Sequence, residues 1–272
     1  MKIPFEKYQG TGNDFIILNN IELNYTMNQL VMLTKQVCQR RLSVGSDAVM
    51  VVDRAQHGGD FRMIFFNADG TEAEMCGNGA RCLARYAYEH QLVGEKMVIE
   101  TVAGDVPAWR LDQRTYKVQL NTATKEVYDW TFPEVKELSY IELGDPALPH
   151  LVVELPGLVD RKLEELMPLA KTLRHWDRLP KGANVNFYEE TSDGKLVIRT
   201  FERGVEGFTL ACGTGSGATA LTLVKRQKQS QEVTLHTLGG VLHVEVDGTD
   251  LFLSGETTQI VVGVICDEAL NF

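Results

Sequence analysis

Short runs of apolar and β-branched residues recur along the chain, and Gly, Asp or Asn bounds most of them. Runs of this length and composition are typical of β-strands. The pattern weakens over residues 121–140, where strand-like periodicity is lost. We predict strands over residues 15–18, 48–52, 61–66, 97–101, 117–120, 151–155, 196–201, 232–236, 242–246 and 251–253.

Helical spacing of apolar residues is rarer. Residues 29–42 place apolar side chains along one stripe, and Asn28 precedes them as a candidate N-cap. Residues 163–173 form a second helical pattern. Two more helices are predicted to begin at Gly77 and Gly213 and to extend to residues 91 and 229. The mixture of many strands and few helices predicts an α/β or α+β fold.

Composition and charge limit the classes of function. The 272 residues are 44% hydrophobic and 24% charged, which is ordinary for a globular chain of about two domains. A net charge of −10 disfavours nucleic acid and anionic membranes as partners. No apolar run is long enough to span a bilayer, and the N-terminus lacks a signal-like apolar segment. The five cysteines show no disulfide-framework spacing, so we predict a reduced cytoplasmic protein.

Two segments of the chain repeat one pattern. Phe65 stands 11 residues before Cys76, and Phe201 stands 11 residues before Cys212. In both segments a predicted strand leads to the sequence Cys-Gly-x-Gly, which opens a predicted helix. The repetition predicts two halves built alike, each with a cysteine at a strand–turn–helix junction.

These two junctions suit acid–base chemistry at a carbon atom. A thiol at a helix N-terminus lies beside unpaired backbone N–H groups and the positive end of the helix dipole, which favours its thiolate form. The same N–H groups can bind a carboxylate. If the two halves face each other, one thiolate removes a proton from one face of an α-carbon and the other thiol returns one to the opposite face. Such a reaction inverts a stereocentre with no cofactor.

Other interpretations of the same residues are weaker. Cys38, Cys82 and Cys266 are predicted to be small buried hydrophobes, as most lone cysteines are. No Cys-x-x-Cys or His-x-x-x-His spacing favours a metal, so we predict none. The glycines of the segment 213–217 lack the Lys that completes a phosphate-binding loop. On spacing alone, His150 is as well explained by a loop position as by a functional one.

Several motifs together resemble the diaminopimelate epimerase family, the cofactor-independent enzymes of lysine and peptidoglycan-precursor synthesis. They occur in the family order and cover essentially the whole chain. The matching motifs are Gly10-Thr11-Gly12-Asn13-Asp14-Phe15, Phe66-Asn67-Ala68-Asp69-Gly70, Cys76-Gly77-Asn78-Gly79-Ala80-Arg81-Cys82, Glu202-Arg203-Gly204, Ala211-Cys212-Gly213-Thr214-Gly215, Gly239-Gly240 and Gly255-Glu256.

The resemblance implies an architecture. It predicts two pseudo-symmetric domains, each a curved β-sheet wrapped around a central helix, with the active site in the cleft between them. The N-terminal domain takes residues 1–121 plus 256–272, and the C-terminal domain takes residues 122–255. The family also suggests a homodimer that acts on a small amino-acid substrate.

The resemblance also implies roles for particular residues. Cys76 and Cys212 are the expected acid–base pair, His150 is expected to assist the thiols, and Glu202 is expected to meet the substrate amine. Arg203 is expected to pair with a distal carboxylate, since a guanidinium fork matches a carboxylate. The expected substrate-binding residues are Asn13, Asn67, Gly77, Asn78, Asn184, Arg203, Gly213 and Thr214.

The chain departs from the family pattern at positions away from the two cysteines. Leu148 stands where the family usually has Asn, one extra residue lies between Gly204 and Ala211, and Phe208 stands near a common Glu. The leading hypothesis is epimerisation of LL-diaminopimelate to the meso form. The alternatives are a racemase of the same superfamily acting on histidine, glutamate or proline, and a non-catalytic amino-acid-binding protein whose thiols sense redox state.

Overall fold

The computed structural model describes residues 2–133 and 135–270 of the chain. Contacts between Cα atoms divide it into two compact units. The first unit is Met1–Val118 with Gly255–Phe272, and the second is Gln119–Ser254. The domain limits drawn from the sequence, 1–121 with 256–272 and 122–255, stay a prediction, and their residues 1, 134, 271 and 272 lie outside the described residues.

Most elements of the first unit lie in the N-terminal part of the chain, up to the end of β8. A parallel pair joins β2 to β3 across helix α2, and a second parallel pair joins β4 to β6 across helix α3. The elements are β1 (Lys2–Gly10), β2 (Asn13–Asn19), α1 (Asn20–Leu23), α2 (Met27–Val37), β3 (Ala48–Asp53), β4 (Phe61–Asn67), β5 (Glu72–Ala73), α3 (Gly77–Glu89), β6 (Lys96–Thr101), β7 (Gly104–Arg110) and β8 (Thr115–Gln119).

The second unit repeats this order of elements. Here β11 pairs in parallel with β12 across α4, and β13 pairs in parallel with β15 across α5. The elements are β9 (Ala123–Phe132), β10 (Val135–Leu143), β11 (Leu148–Glu154), α4 (Leu163–Arg174), β12 (Asn184–Glu190), β13 (Leu196–Glu202), β14 (Gly207–Thr209), α5 (Gly213–Lys225), β15 (Glu232–His236), β16 (Val241–Asp247) and the first residues of β17 (Asp250–Cys266). The rest of β17 and the 3₁₀ turn that follows it (Asp267–Leu270) belong to the first unit.

Each unit wraps a barrel-like sheet around one helix. In the first unit β17 pairs with β1 and with β8, and α3 contacts β1, β2, β3, β6 and β7. In the second unit the first residues of β17 pair with β16, and α5 contacts β10, β11, β12 and β16. Both helices are buried over most of their length, as expected when small and apolar residues surround a helix. This arrangement confirms the predicted fold class of curved sheets around central helices.

The smaller helices cover the outer faces of the sheets. Helix α2 buries Leu30, Leu33 and Val37 in a cluster with apolar side chains of β2, β3 and β4. Helix α4 buries Leu166, Ala170 and Leu173 in the corresponding cluster of the second unit. Among the described residues, none of the helices combines the length and the apolar character that crossing a bilayer requires.

Two predicted features of local structure are wrong. The segment 121–140, where the sequence loses strand-like periodicity, nevertheless holds β9 and most of β10 as an antiparallel pair in its described residues. The register of this pair shifts at several points and β9 is only partly buried, so the alternation of apolar and polar residues is weak. Cys266, predicted to be a buried hydrophobe, is exposed at the end of β17.

The limits of α2 also differ from the prediction. The helix begins one residue before the predicted cap, since Thr26 and not Asn28 is the N-cap. Thr26 and Gln29 form a capping box, in which each side chain bonds the backbone N–H of the other residue. The helix ends at Val37, short of residue 42. These two reciprocal hydrogen bonds satisfy two backbone N–H groups at the start of the helix. This explains why Thr26, and not Asn28, is the N-cap.

Candidate active site

Cys76 and Cys212 occupy the same position in their respective units. Each is the N-cap of a 13-residue helix, Cys76 of α3 and Cys212 of α5. Both have extended backbone angles, with φ −140° and ψ 115° at Cys76 and φ −119° and ψ 116° at Cys212. The predicted helix starts at Gly77 and Gly213 are confirmed. Each thiol therefore lies beside the backbone N–H groups of a first helical turn.

The Cys76 thiol contacts the first residue of β2. Its S–H donates to the side-chain carbonyl of Asn13 across 3.7 Å. The Asn13 amide in turn donates to a carboxylate oxygen of Asp47 at 2.7 Å, which fixes the direction of its carbonyl. Arg40 forms an ion pair with the same Asp47 carboxylate. The structure thus brings two predicted site residues, Asn13 and Cys76, into contact.

Arg81 lies near Cys76 and Asn13, and the sequence analysis assigned it no role. The side chain is fully buried and donates to the Thr11 hydroxyl at 2.7 Å and to the side-chain carbonyl of Asn78 at 3.1 Å. No carboxylate among the described residues forms an ion pair with it. Burial lowers the pKa of Arg81, while the thiolate charges of Cys82 and Cys76 act in the opposite direction. A buried cation therefore lies near the Cys76 thiol.

The Cys212 thiol has a different set of neighbours. Its sulfur accepts the backbone N–H of Gly215 at 3.4 Å and lies 3.5 Å from the Thr214 hydroxyl. Burial raises the pKa of Glu202, and hydrogen bonds from Thr209 and Cys212 oppose that rise. The Thr209 hydroxyl donates to the Glu202 carboxylate at 2.5 Å. The second unit therefore places a half-buried carboxyl group beside the thiol, where the first unit has a buried cation.

His150 is fully buried in β11, next to two other predicted site residues. It lies opposite Asn184 in the parallel pairing with β12, and the side-chain carbonyl of Asn184 accepts the backbone N–H of Arg203 at 2.8 Å. Burial lowers the pKa of His150 to about 3, and the charge of Arg203 adds to that effect. The imidazole is therefore neutral around pH 7.

The structure gathers the predicted residues into three groups. In the first unit Asn13, Cys76, Gly77 and Asn78 lie around the start of α3. In the second unit Cys212, Gly213, Thr214 and Glu202 lie around the start of α5. His150 and Asn184 lie at paired strand positions, and Arg203, in the turn after β13, donates its backbone N–H to Asn184. Asn67 ends β4 and bonds the hydroxyl of Thr71 in the following turn at 3.0 Å. The catalytic and binding roles of all these residues stay predictions.

The departures from the family pattern have local structural roles. Phe208 is partly buried and packs against the core of the second unit, with its ring 5.5 Å from that of Phe201 between centroids. In the segment that carries the extra residue, Glu206 adopts a positive φ of 56° and forms an ion pair with Arg174 at 2.7 Å. Leu148 is the half-buried first residue of β11. Within the described residues, no group of three or more His, Cys, Asp or Glu side chains is arranged to hold a metal ion.

Solved structures with this fold come from several enzyme types. The phenazine biosynthesis protein of the PhzF family from Bacillus anthracis superposes with a TM-score of 0.75 over 98% of this chain and 99% of its own, at 15% identity. The hydroxyproline epimerase from Agrobacterium vitis gives a TM-score of 0.65 over 97% of this chain and 92% of its own, at 16% identity. At these identities the similarity establishes the fold alone.

Sequence similarity goes further than the fold. A family model described as diaminopimelate epimerase matches residues 5–126 and 145–260. The diaminopimelate epimerase of Hydrogenobaculum sp. (strain Y04AAS1) is 35% identical over 96% of this chain and 98% of its own length. That of Archaeoglobus fulgidus is 32% identical over 97% of each. The chain belongs to the diaminopimelate epimerase family, and the predicted enzyme class, an isomerase, is confirmed.

Proposed function

We propose that this protein interconverts LL- and meso-diaminopimelate by proton transfer between two thiols, in the synthesis of lysine and peptidoglycan precursors. The observation that carries the proposal is the pair of N-cap cysteines on matching helices, in a chain of the diaminopimelate epimerase family. An epimerase with no cofactor needs one group to take a proton and a second to return one, and two equivalent thiols serve either direction.

The proposed reaction has two proton transfers. The thiolate of one cysteine takes the α-proton, and the electron pair of the C–H bond passes into the carboxylate as negative charge. Backbone N–H groups of Gly77, Asn78, Gly213 and Thr214 are proposed to stabilise that charge. The other thiol then gives its proton to the opposite face of the carbon and becomes the thiolate.

Two charged residues of the second unit are proposed to select the substrate. Glu202, half-buried beside the Cys212 thiol, is proposed to meet the substrate ammonium group. Arg203 is proposed to pair with the distal carboxylate of diaminopimelate, and Asn184, which accepts the Arg203 backbone N–H, orients it. Asn13 and Asn67 are proposed to complete the binding site from the first unit.

The thiol mechanism is tested with solvent isotope and matched cysteine variants. In D₂O, each diaminopimelate isomer should gain one deuterium at the inverted carbon as it converts. Cys76→Ser and Cys212→Ser should each lower kcat by about 100-fold or more while substrate binding persists. Cys82→Ser, which alters a buried thiol of α3 outside the proposed pair, serves as the control. Normal turnover in a Cys76→Ser, Cys212→Ser double variant would exclude the mechanism.

A second candidate keeps the chemistry and changes the substrate. Leu148 stands at the start of β11 where the family usually has Asn. Because leucine lacks the amide of asparagine, this position favours a substrate with a less polar distal end. A racemase of a single-carboxylate amino acid such as proline or histidine is the corresponding function. Turnover of LL-diaminopimelate against a panel of free L-amino acids separates the two, because the first proposal requires diaminopimelate to be the preferred substrate.

The remaining proposals concern the setting of the enzyme. We propose that it acts in the cytoplasm as a homodimer on a free amino acid, without nucleic-acid or membrane partners. A non-catalytic amino-acid-binding protein with redox-sensing thiols is the contrasting function. It predicts ligand binding without exchange of the α-proton, whereas the proposed epimerase exchanges that proton in D₂O.

A further inference from the structure

Asn186 is a fully buried amide directly beneath the first turn of helix α5. It belongs to β12, two residues after Asn184. A Cβ atom built on Gly215 would lie 2.2 Å from the Asn186 side-chain oxygen, so only glycine leaves room for this amide below the helix that Cys212 caps. The sequence reading gave Asn186 no role.

Two neighbours fix which way the Asn186 amide points. Its nitrogen donates to the backbone carbonyl of Leu151 at 2.9 Å, and its oxygen accepts the Thr200 hydroxyl at 3.0 Å. A backbone carbonyl can only accept a hydrogen bond, so the amide nitrogen must face Leu151. The orientation of the amide therefore follows from its neighbours and is not a free choice between two flips.

The second N–H of the same amide faces His150. The Asn186 nitrogen lies 3.3 Å from Nδ1 of the His150 ring. An amide nitrogen carries hydrogens and no acceptor lone pair, so Nδ1 must accept and cannot itself be protonated. In a neutral imidazole the proton is then on Nε2. The burial that lowers the pKa of His150 to about 3 keeps the ring neutral at working pH.

The donor formed in this way has no recipient among the described residues. His150 Nε2 is buried and makes no hydrogen bond with any described residue. A buried donor without an acceptor is costly, and a hydrogen bond to an acceptor atom of a bound ligand removes that cost. The neighbouring residues Asn184 and Arg203 belong to the proposed substrate site.

We infer that Asn186 is a positioning residue that commits His150 to its neutral Nε2–H tautomer, so that His150 donates a hydrogen bond to an acceptor atom of the bound amino-acid substrate. The hydrogen bond from His150 to the substrate rests on the proposed function, whereas the tautomer set by Asn186 does not. His150 then acts as a hydrogen-bond donor and takes no proton from the substrate.

The tautomer is measured by ¹⁵N NMR of the full chain labelled at histidine, with His150→Gln used to assign the resonance among the six histidines. The wild-type spectrum should show a protonated Nε2 and an unprotonated Nδ1 from about pH 5.5 to about pH 8. A protonated Nδ1, or an average of both tautomers, overturns the inference. This result needs no variant to fold and no turnover.

Two variants test the part played by Asn186. Asn186→Asp presents a carboxylate, which can only accept, so the ring proton should move to Nδ1. Thr200→Val is the matched control, because it removes the other bond to the amide and leaves the Leu151 carbonyl in place. It should keep the wild-type tautomer. An unchanged tautomer in Asn186→Asp, or a changed one in Thr200→Val, contradicts the role of Asn186.

The donor role is tested by adding saturating meso-diaminopimelate to the labelled wild-type protein. The Nε2 proton resonance should move downfield as the hydrogen bond forms. If binding is seen at other resonances and this one stays in place, the donor role is wrong while the proposed function survives. If diaminopimelate does not bind, the proposed function fails, and the tautomer result still decides the role of Asn186.

Discussion

At the scale of single residues, two buried basic side chains differ in what their hydrogen bonds demand. Arg81 donates to two neutral oxygens, on Thr11 and Asn78, and a guanidinium retains its proton in proteins. His150 instead accepts from Asn186 at Nδ1, and burial holds its ring neutral. Arg81 therefore places a positive charge near the Cys76 thiol, whereas His150 is a neutral, polar ring beside Asn184 and Arg203.

The lowered pKa of His150 predicts a specific loss of stability in acid. The unfolded ring takes up a proton below about pH 6.5, whereas the folded ring does so near pH 3. The free energy of unfolding should therefore fall as pH is lowered through this window, by about 1.4 kcal/mol per pH unit for this one group. Urea unfolding of His150→Gln should show a shallower decline than the wild-type protein. Equal slopes would mean that the buried histidine is not the source.

The buried charge of Arg81 predicts a difference in thiol reactivity. Arg81→Met should slow alkylation of Cys76 by iodoacetamide at neutral pH about threefold or more, because a nearby cation stabilises the thiolate. Arg81→Lys keeps the charge and should be less affected. Cys212 in the same sample is the internal control and should react at its wild-type rate. Mass spectrometry of the native protein gives both rates, and equal slowing at both thiols would contradict a local effect of Arg81 on Cys76.

At the scale of elements, the start of α5 depends on a close approach that only glycine allows. An exposed or roomy glycine in a helix usually gains up to about 1 kcal/mol when replaced by alanine. Gly215→Ala should show the opposite sign and lose about 1–3 kcal/mol, because the new methyl group meets Asn186 at 2.2 Å. Gly94→Ala, which meets nothing within 4 Å, is the control and should be near neutral. Denaturant midpoints of the two variants test this difference.

The capping box of α2 gives a second prediction for an element. Thr26→Ala removes the side chain that accepts from the Gln29 backbone, and it should cost about 1 kcal/mol. Asn28→Ala changes the residue that the sequence pattern favours as the cap, and it should cost little because Asn28 lies inside the first turn. Thermal or urea unfolding measures both. A larger loss in Asn28→Ala than in Thr26→Ala contradicts the observed cap.

At the scale of the whole molecule, the proposed homodimer needs an apolar surface, and β17 offers one. Ile260, Val261, Val262 and Val264 are all exposed on this strand. A contiguous apolar patch on a chain surface is typical of an interaction site. Val262 and Val264 lie on the same face of the strand, because successive side chains alternate between faces, and we propose that a second copy of the chain covers that face.

The dimer is tested by light scattering after size exclusion. Val262→Asp should shift the protein toward the monomer, because a buried, unpaired carboxylate at an interface is strongly unfavourable. Val205→Asp changes a valine of matched exposure, 62% against 67%, in the second unit and should leave the mass unchanged. A monomeric wild-type protein, or equal behaviour of the two variants, contradicts the interface.

Predictions from the sequence succeeded where local signals agree with tertiary packing. The helix starts at Gly77 and Gly213 were predictable because the repeated Cys-Gly-x-Gly pattern follows a strand in each half. The buried strands β3, β4 and β13 were predicted from their apolar runs. The equally buried β12 was not predicted, and β9 and β10 were also missed. The family and the enzyme class were also accessible, since the motifs are specific and ordered along the chain.

The sequence alone determined that the chain has two similar halves, a cysteine before a helix in each, and the chemistry that two such thiols suit, because these depend on residues close together in the chain. Only the tertiary structure decided that Arg81 is a buried cation beside one thiol and that Asn186 holds the ring of His150. Both depend on contacts between distant segments, such as Thr11 with Arg81 and His150 with Asn186. Burial then determines which of these groups carries charge, and burial is a property of the folded chain.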